Sequence, residues 1–169
     1  MTTIEYVNAH VFPAVFALLP PRMDTRQARA MLLAIGLQES LFKYRLQIRG
    51  PARGFWQFEQ RGGVRGVLEH SSTKDVIRPV LETMSYDSRK DYAPSECYEA
   101  IAHNDVLATM FARLLLWSSP LPLPKEGDAH GGWQLYLSTW RPGKPKPGPW
   151  DANFERAWGI VTLPAGGIT

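Results

Sequence analysis

The residues best suited to chemistry fall between Gly36 and Glu59. Glu39 stands near the end of an apolar run with helical spacing. The carbonyl end of a helix disfavours an anion, and so do apolar neighbours. Both effects raise a carboxyl pKa and keep the group protonated, the form a general acid needs. Cleavage of a glycosidic bond asks for that proton, delivered to the leaving oxygen. The plain alternative is a solvated glutamate near a helix end. Ser40 follows directly, then Gly50, Gly54 and the run Phe55-Trp56-Gln57-Phe58-Glu59. Flat aromatic faces, an amide, a hydroxyl and backbone that permits close approach are what a sugar cleft is made from. A buried hairpin with core aromatics would use the same residues.

These residues carry a resemblance. Glu39-Ser40-Leu41-Phe42, followed by Gly50-Pro51-Ala52-Arg53-Gly54-Phe55-Trp56-Gln57, resembles the signature of the lysozyme-like lytic transglycosylases. There, a Glu-Ser-x-Phe helix end precedes a Gly-Ala-x-Gly-Leu-Met-Gln segment. Here Pro51 is inserted, and Phe55-Trp56 replace Leu-Met. The family's third motif, Ala-Tyr-Asn-x-Gly, is matched loosely by Thr139-Trp140-Arg141-Pro142-Gly143, with Trp for Tyr and Arg for Asn. The likeness spans about residues 25 to 145.

The resemblance implies a peptidoglycan-degrading enzyme acting on the β-1,4 bond between N-acetylmuramic acid and N-acetylglucosamine. Glu39 is then the general acid and base. Ser40 and Gln57 contact substrate or orient Glu39, and Phe55, Trp56 and Phe58 contribute to the binding surface. Trp140 takes the cleft-lining tyrosine's place, but an indole has no O–H to donate to the carboxylate. Arg141 meets a lactyl or peptide carboxylate of the glycan, or caps a helix end. Glu59 has the offset from Gln57 at which goose-type lysozymes, which resemble this fold, place an aspartate. As a second carboxylate it would activate water for inverting hydrolysis, which needs the two carboxyls about 6.5–9.5 Å apart. Without such a base, the muramic acid's own 6-hydroxyl attacks and leaves an anhydro sugar. A non-catalytic, lysozyme-like virion component that binds glycan is the reading from another class.

Other chemistries find less support. His70, His103 and His130 lie far apart, His10 falls in the N-terminal helical stretch, and no zinc or phosphate-loop spacing occurs, so no metal or cofactor is expected. The net charge of +3 is mild and its basic residues are scattered, so nucleic acid is not an expected partner. Cys97, the lone cysteine, reads as a buried thiol in a reducing compartment. The apolar stretch from Val11 to Leu19 is short, holds Pro13 and lacks a basic flank, so neither a signal peptide nor a membrane anchor is expected. With the resemblance, these features suggest a bacteriophage lysis enzyme or virion-associated murein hydrolase. Such an enzyme would be a monomer held in the host cytoplasm until a separate pore-forming protein gives access to the wall, or packaged in a particle.

The elements that position these residues can be read from periodicity. The pattern predicts helices over 3–19, 25–42, 95–102, 104–117 and 131–140, with a last one in Asp151-Ala152-Asn153-Phe154-Glu155-Arg156 and beyond. Short helical pieces are expected at 64–70 and 75–84. Residues 43–63 predict a small β-hairpin or irregular lobe. The remaining acids, Asp75, Glu82, Asp87 and Asp91, lie in polar stretches and are expected at the surface. The expected fold class is α+β, mostly α-helical, as a single lysozyme-like catalytic domain over 1–169 with no separate cell-wall-binding domain.

Overall fold

The structure, a computed structural model, describes residues 1–86, 89 and 93–161. It is mostly helical. The N-terminal helical stretch comprises α1 (Thr3–Tyr6), a π turn (Val7–Val11) and α2 (Phe12–Phe16). Pro13 accounts for the π turn. It has no N–H to donate, and its ring would strike the carbonyl four residues earlier in an unbroken α-helix. The wider turn, closed by the Phe12 N–H on the Val7 carbonyl, lets the helix continue.

A 3₁₀ turn (Pro21–Met23) leads into α3 (Arg26–Ser40). Thr25 caps α3, its Oγ1 accepting from the Ala28 N–H at 3.1 Å. Ala28, Ala30 to Leu37 and Ser40 are all buried. The periodic pattern marks one apolar face, yet α3 is enclosed on nearly every side. Its alanines and Gly36 are small enough to let neighbours close in around it. α9 (Trp150–Val161) packs along α3, and α7 (Asp105–Trp117) crosses it.

Between them come a π turn (Gln60–Val64), α4 (Arg65–Glu69), α5 (Lys74–Thr83), α6 (Ala93–Ile101) and, after α7, α8 (Ala129–Trp140). Residues 43–59 form an irregular lobe. Among the described residues its pairing is limited to two isolated antiparallel bridges, Leu46 with Arg53 and Arg53 with Phe58. Gly54 sits at its centre with φ +71°, and a Cβ there would lie 2.7 Å from Cγ2 of Ile101. Only glycine satisfies both the left-handed backbone and the close approach to α6. The Arg45 guanidinium pins the lobe to the start of α7. It donates to both carboxylate oxygens of Asp105, at 2.9 and 2.7 Å, and lies 4.1 Å over the Phe55 ring.

Cys97 is fully buried, and burial pushes its thiol up to about 12, with Glu96 adding to the shift. No helix among the described residues is long and apolar enough to cross a membrane.

Candidate active site

Glu39 occupies the last turn of α3. The helix ends there because Leu41 and Phe42 both take left-handed backbone, with φ of 55° and 53°. Ser40 holds this turn. Its hydroxyl donates to the Phe55 carbonyl at 2.7 Å, and its oxygen accepts the Phe42 N–H at 3.2 Å. The reversed chain lays the Phe42 ring on Gly36, where an added Cβ would meet ring carbon at 2.2 Å. The Phe42 ring packs edge-on against both Phe55 and Trp56. Helix end and lobe are thereby fastened together directly behind Glu39.

The Glu39 side chain is half-buried and faces an open cleft of about 1410 Å³. Its hydrogen-bond partner among the described residues is the Tyr136 hydroxyl, which donates to Oε1 at 2.7 Å. Burial raises the Glu39 carboxyl above the ordinary range, and the Tyr136 hydrogen bond offsets part of that rise. Tyr136 is shifted strongly upward, first by its own burial and then by the adjacent carboxylate. It therefore stays a donor and cannot serve as a base. The tyrosine is held by its neighbours. Its ring stacks on Trp150 at 5.3 Å and 17°, and Trp133 and Trp140 flank it at 5.2 and 6.5 Å. Trp150 is fixed in turn by its indole N–H on the Ala129 carbonyl.

The sequence-derived residues divide into two groups. Glu39, Gln57, Phe58, Glu59, Trp140 and Arg141 line the cleft. Ser40, Phe55 and Trp56 do not; they are buried at 4%, 1% and 0% exposure. These three belong to the core, not to a substrate surface. Trp56 is directed inward because its indole N–H donates to the Leu32 carbonyl of α3 at 2.8 Å. Phe58 offers only an edge to the cleft, being buried against Phe111 and Trp140. Gln57 has φ 51°, and its amide nitrogen donates to the Gly54 carbonyl. Its Oε1 has no protein donor among the described residues and is available to the cleft. Trp140 anchors its indole N–H on the Trp56 carbonyl at 2.9 Å, so only its ring remains for contact. Glu59 is exposed, and its backbone carbonyl receives the Gly62 and Val64 N–H groups that open the π turn.

Tyr136 is the cleft residue beside Glu39 that motif matching overlooks. The loose third motif placed Trp140 in the tyrosine's slot, while the hydroxyl comes from one helical turn earlier. The spacing from 136 to 140 puts both rings on one face of α8, and that was the signal available. Asp75 and Glu82 are exposed, and Asp87 and Asp91 lie outside the described residues. Among the described residues, no group of three or more His, Cys, Asp or Glu side chains gathers closely enough to hold a metal ion.

No protein-family model, curated protein or solved structure matches this chain.

Proposed function

We propose that this protein cleaves the β-1,4 glycosidic bond of peptidoglycan as a lytic transglycosylase, with Glu39 as general acid and then general base, on a lysozyme-like arrangement of helices. The observation that carries this reading is a carboxyl whose pKa is raised by burial, at the wall of an open cleft, with a tyrosine O–H fixed on one oxygen. That hydrogen bond leaves the other carboxyl oxygen to hold the reactive proton. Glu39 donates the proton to the leaving N-acetylglucosamine oxygen as the bond to the muramic acid C1 breaks. The carboxylate so formed is stabilised by the Tyr136 O–H. It then takes the proton of the muramic acid 6-hydroxyl as that oxygen bonds to C1. The product is a 1,6-anhydro sugar, and Glu39 is returned protonated.

A second reading has one observation in its favour: Glu59 is exposed and lines the same cleft. As a base it would activate water opposite the leaving group and give hydrolysis with inversion. The bacteriophage setting is part of the proposal and rests on the motif resemblance. Incubation of purified protein with Gram-negative murein sacculi, from acidic to mildly alkaline pH, tests the enzyme reading. Soluble muropeptides are expected. Binding of sacculi without release at any pH would instead support a glycan-binding module and exclude the enzyme.

A further inference from the structure

The first half of the lobe carries a surface for which the cleft does not account. Among the described residues eight large apolar side chains are exposed, and four of them, Leu41, Tyr44, Leu46 and Ile48, fall within one short stretch of chain. Apolar side chains exposed singly are ordinary, but a cluster marks a contact surface. Tyr44 and Ile48 also line the cleft; Leu41 and Leu46 do not, so contact with a glycan leaves them unexplained. The same stretch is cationic. No acid occurs between Glu39 and Glu59, whereas Lys43, Arg45, Arg49 and Arg53 all do. Arg45 and Arg53 are engaged within the fold, by Asp105 and Glu99. Lys43 and Arg49 are exposed and form no ion pair among the described residues. The tip of the lobe is held in shape. The Gln47 N–H donates to the Ala52 carbonyl at 3.0 Å, and Gln47 Oε1 accepts the Ala52 N–H at 3.1 Å. The Tyr98 hydroxyl donates to the Pro51 carbonyl from α6. Ile48, 74% exposed, and Arg49, with φ 58°, stand at the apex of this closed loop. A loop already held in one shape gives up little entropy on docking.

We infer that this lobe docks reversibly on an anionic phospholipid surface, with Leu41, Leu46 and Ile48 entering the headgroup boundary and Lys43 and Arg49 meeting lipid phosphates. Charge complementarity selects the occupant. Exposed cations interleaved with apolar side chains match an interface that is anionic at its surface and apolar just beneath. The long stems of Lys43 and Arg49 let the apolar side chains sink while the charges stay at the phosphates. A second copy of the chain is a poorer occupant, because it brings the same uncompensated cations to the contact. The inference goes beyond the glycosidase reading and does not depend on it.

The test is co-sedimentation of the full-length protein with vesicles of phosphatidylcholine alone, or of phosphatidylcholine mixed with phosphatidylglycerol. Binding to the mixed vesicles and not to the neutral ones is expected, and raised salt should weaken it. Lys43→Gln with Arg49→Asn should lower the affinity roughly 10- to 30-fold, each cation near such a surface contributing about fivefold. Asparagine is chosen at 49, and again at 41, because it tolerates left-handed backbone. Leu41→Asn with Leu46→Gln should lower the affinity roughly tenfold or more without a change in charge. An unchanged thermal midpoint in both variants separates a lost surface from lost folding. Lys74→Gln with Arg78→Gln, both exposed on α5, removes the same charge elsewhere and should leave binding near the wild-type level. An equal loss in that control would reassign the affinity to net charge and overturn the lobe's role. Equal binding to both kinds of vesicle, or wild-type affinity in either lobe variant, would overturn it too. Self-association in sedimentation velocity without vesicle binding would give the surface to a second copy instead.

Discussion

Tyr136→Phe isolates the hydroxyl on which the site depends. Phenylalanine retains the ring and its stacking on Trp150, Trp133 and Trp140, so the substitution removes one hydrogen bond and little packing. The bond spans 2.7 Å to Oε1 of Glu39, and Tyr136 is 3% exposed. A hydrogen bond between neutral groups contributes about 0.5–1.5 kcal/mol, and one to a charged group about 1.5–3 kcal/mol. The loss should therefore be about 1 kcal/mol at acidic pH, where Glu39 is neutral, and about 2 kcal/mol where it is ionised. The direction follows from linkage. Glu39 has a folded-state pKa above its unfolded value of about 4.5. Its contribution to stability is complete below that value and declines as pH rises through the folded pKa. Removing the hydroxyl raises the folded pKa further, so the variant loses more stability over the same climb. Urea unfolding of both proteins at acidic and at mildly alkaline pH measures the gap. In a Glu39→Gln background the gap should not change with pH, because no charge remains for the hydroxyl to sense. The activity of Tyr136→Phe should be lower, and the alkaline fall of its pH–rate profile should move upward. A stability gap equal at both pH values in the wild-type background would refute the coupling of hydroxyl and carboxylate.

Four further outcomes follow from the same structure. Glu39→Gln should fold, since its amide oxygen can still accept from Tyr136, and should lose about 10²–10⁴ in rate on sacculi, the contribution typical of a general acid; circular dichroism and muropeptide release check the two halves. Ser40→Ala leaves the Phe55 carbonyl and Phe42 N–H unpaired in a buried place, and should cost about 1–3 kcal/mol in urea unfolding. Gly54→Ala combines a left-handed backbone with a 2.7 Å contact to Ile101, and should cost about 2–4 kcal/mol by the same assay. Cys97, with its thiol pushed up to about 12, should resist a thiol reagent at mildly alkaline pH in the native protein and react fully once unfolded.

The legible parts of this protein were those governed by local rules. The apolar spacing of α3 placed Glu39 near a helix end, and the glycines and prolines pointed to a small hairpin or irregular lobe, of which the structure has the irregular form with two isolated bridges. The aromatic run was not legible in the same way. Phe55, Trp56 and Phe58 are alike in type, and what separates core from cleft is tertiary: Trp56 turns inward to the Leu32 carbonyl, while Gln57 between them turns out. The resemblance had Ser40 contact substrate or orient Glu39; it is buried and closes the turn behind the acid. Tyr136 was missed for a related reason. Its contact with Glu39 spans 97 residues of sequence, and the local pattern offers only the α8 face that it shares with Trp140. The π turn at Val7–Val11 answers Pro13, where periodicity alone predicts an unbroken helix.

Mass spectrometry of murein sacculi digested by the wild-type protein and by Glu39→Gln tests the central claim most directly. Anhydro-muropeptides released by the wild type and absent with Glu39→Gln are the predicted result. Products heavier by one water would transfer the chemistry to hydrolysis, with Glu59 as the base to test next. Undiminished release by Glu39→Gln would contradict the account.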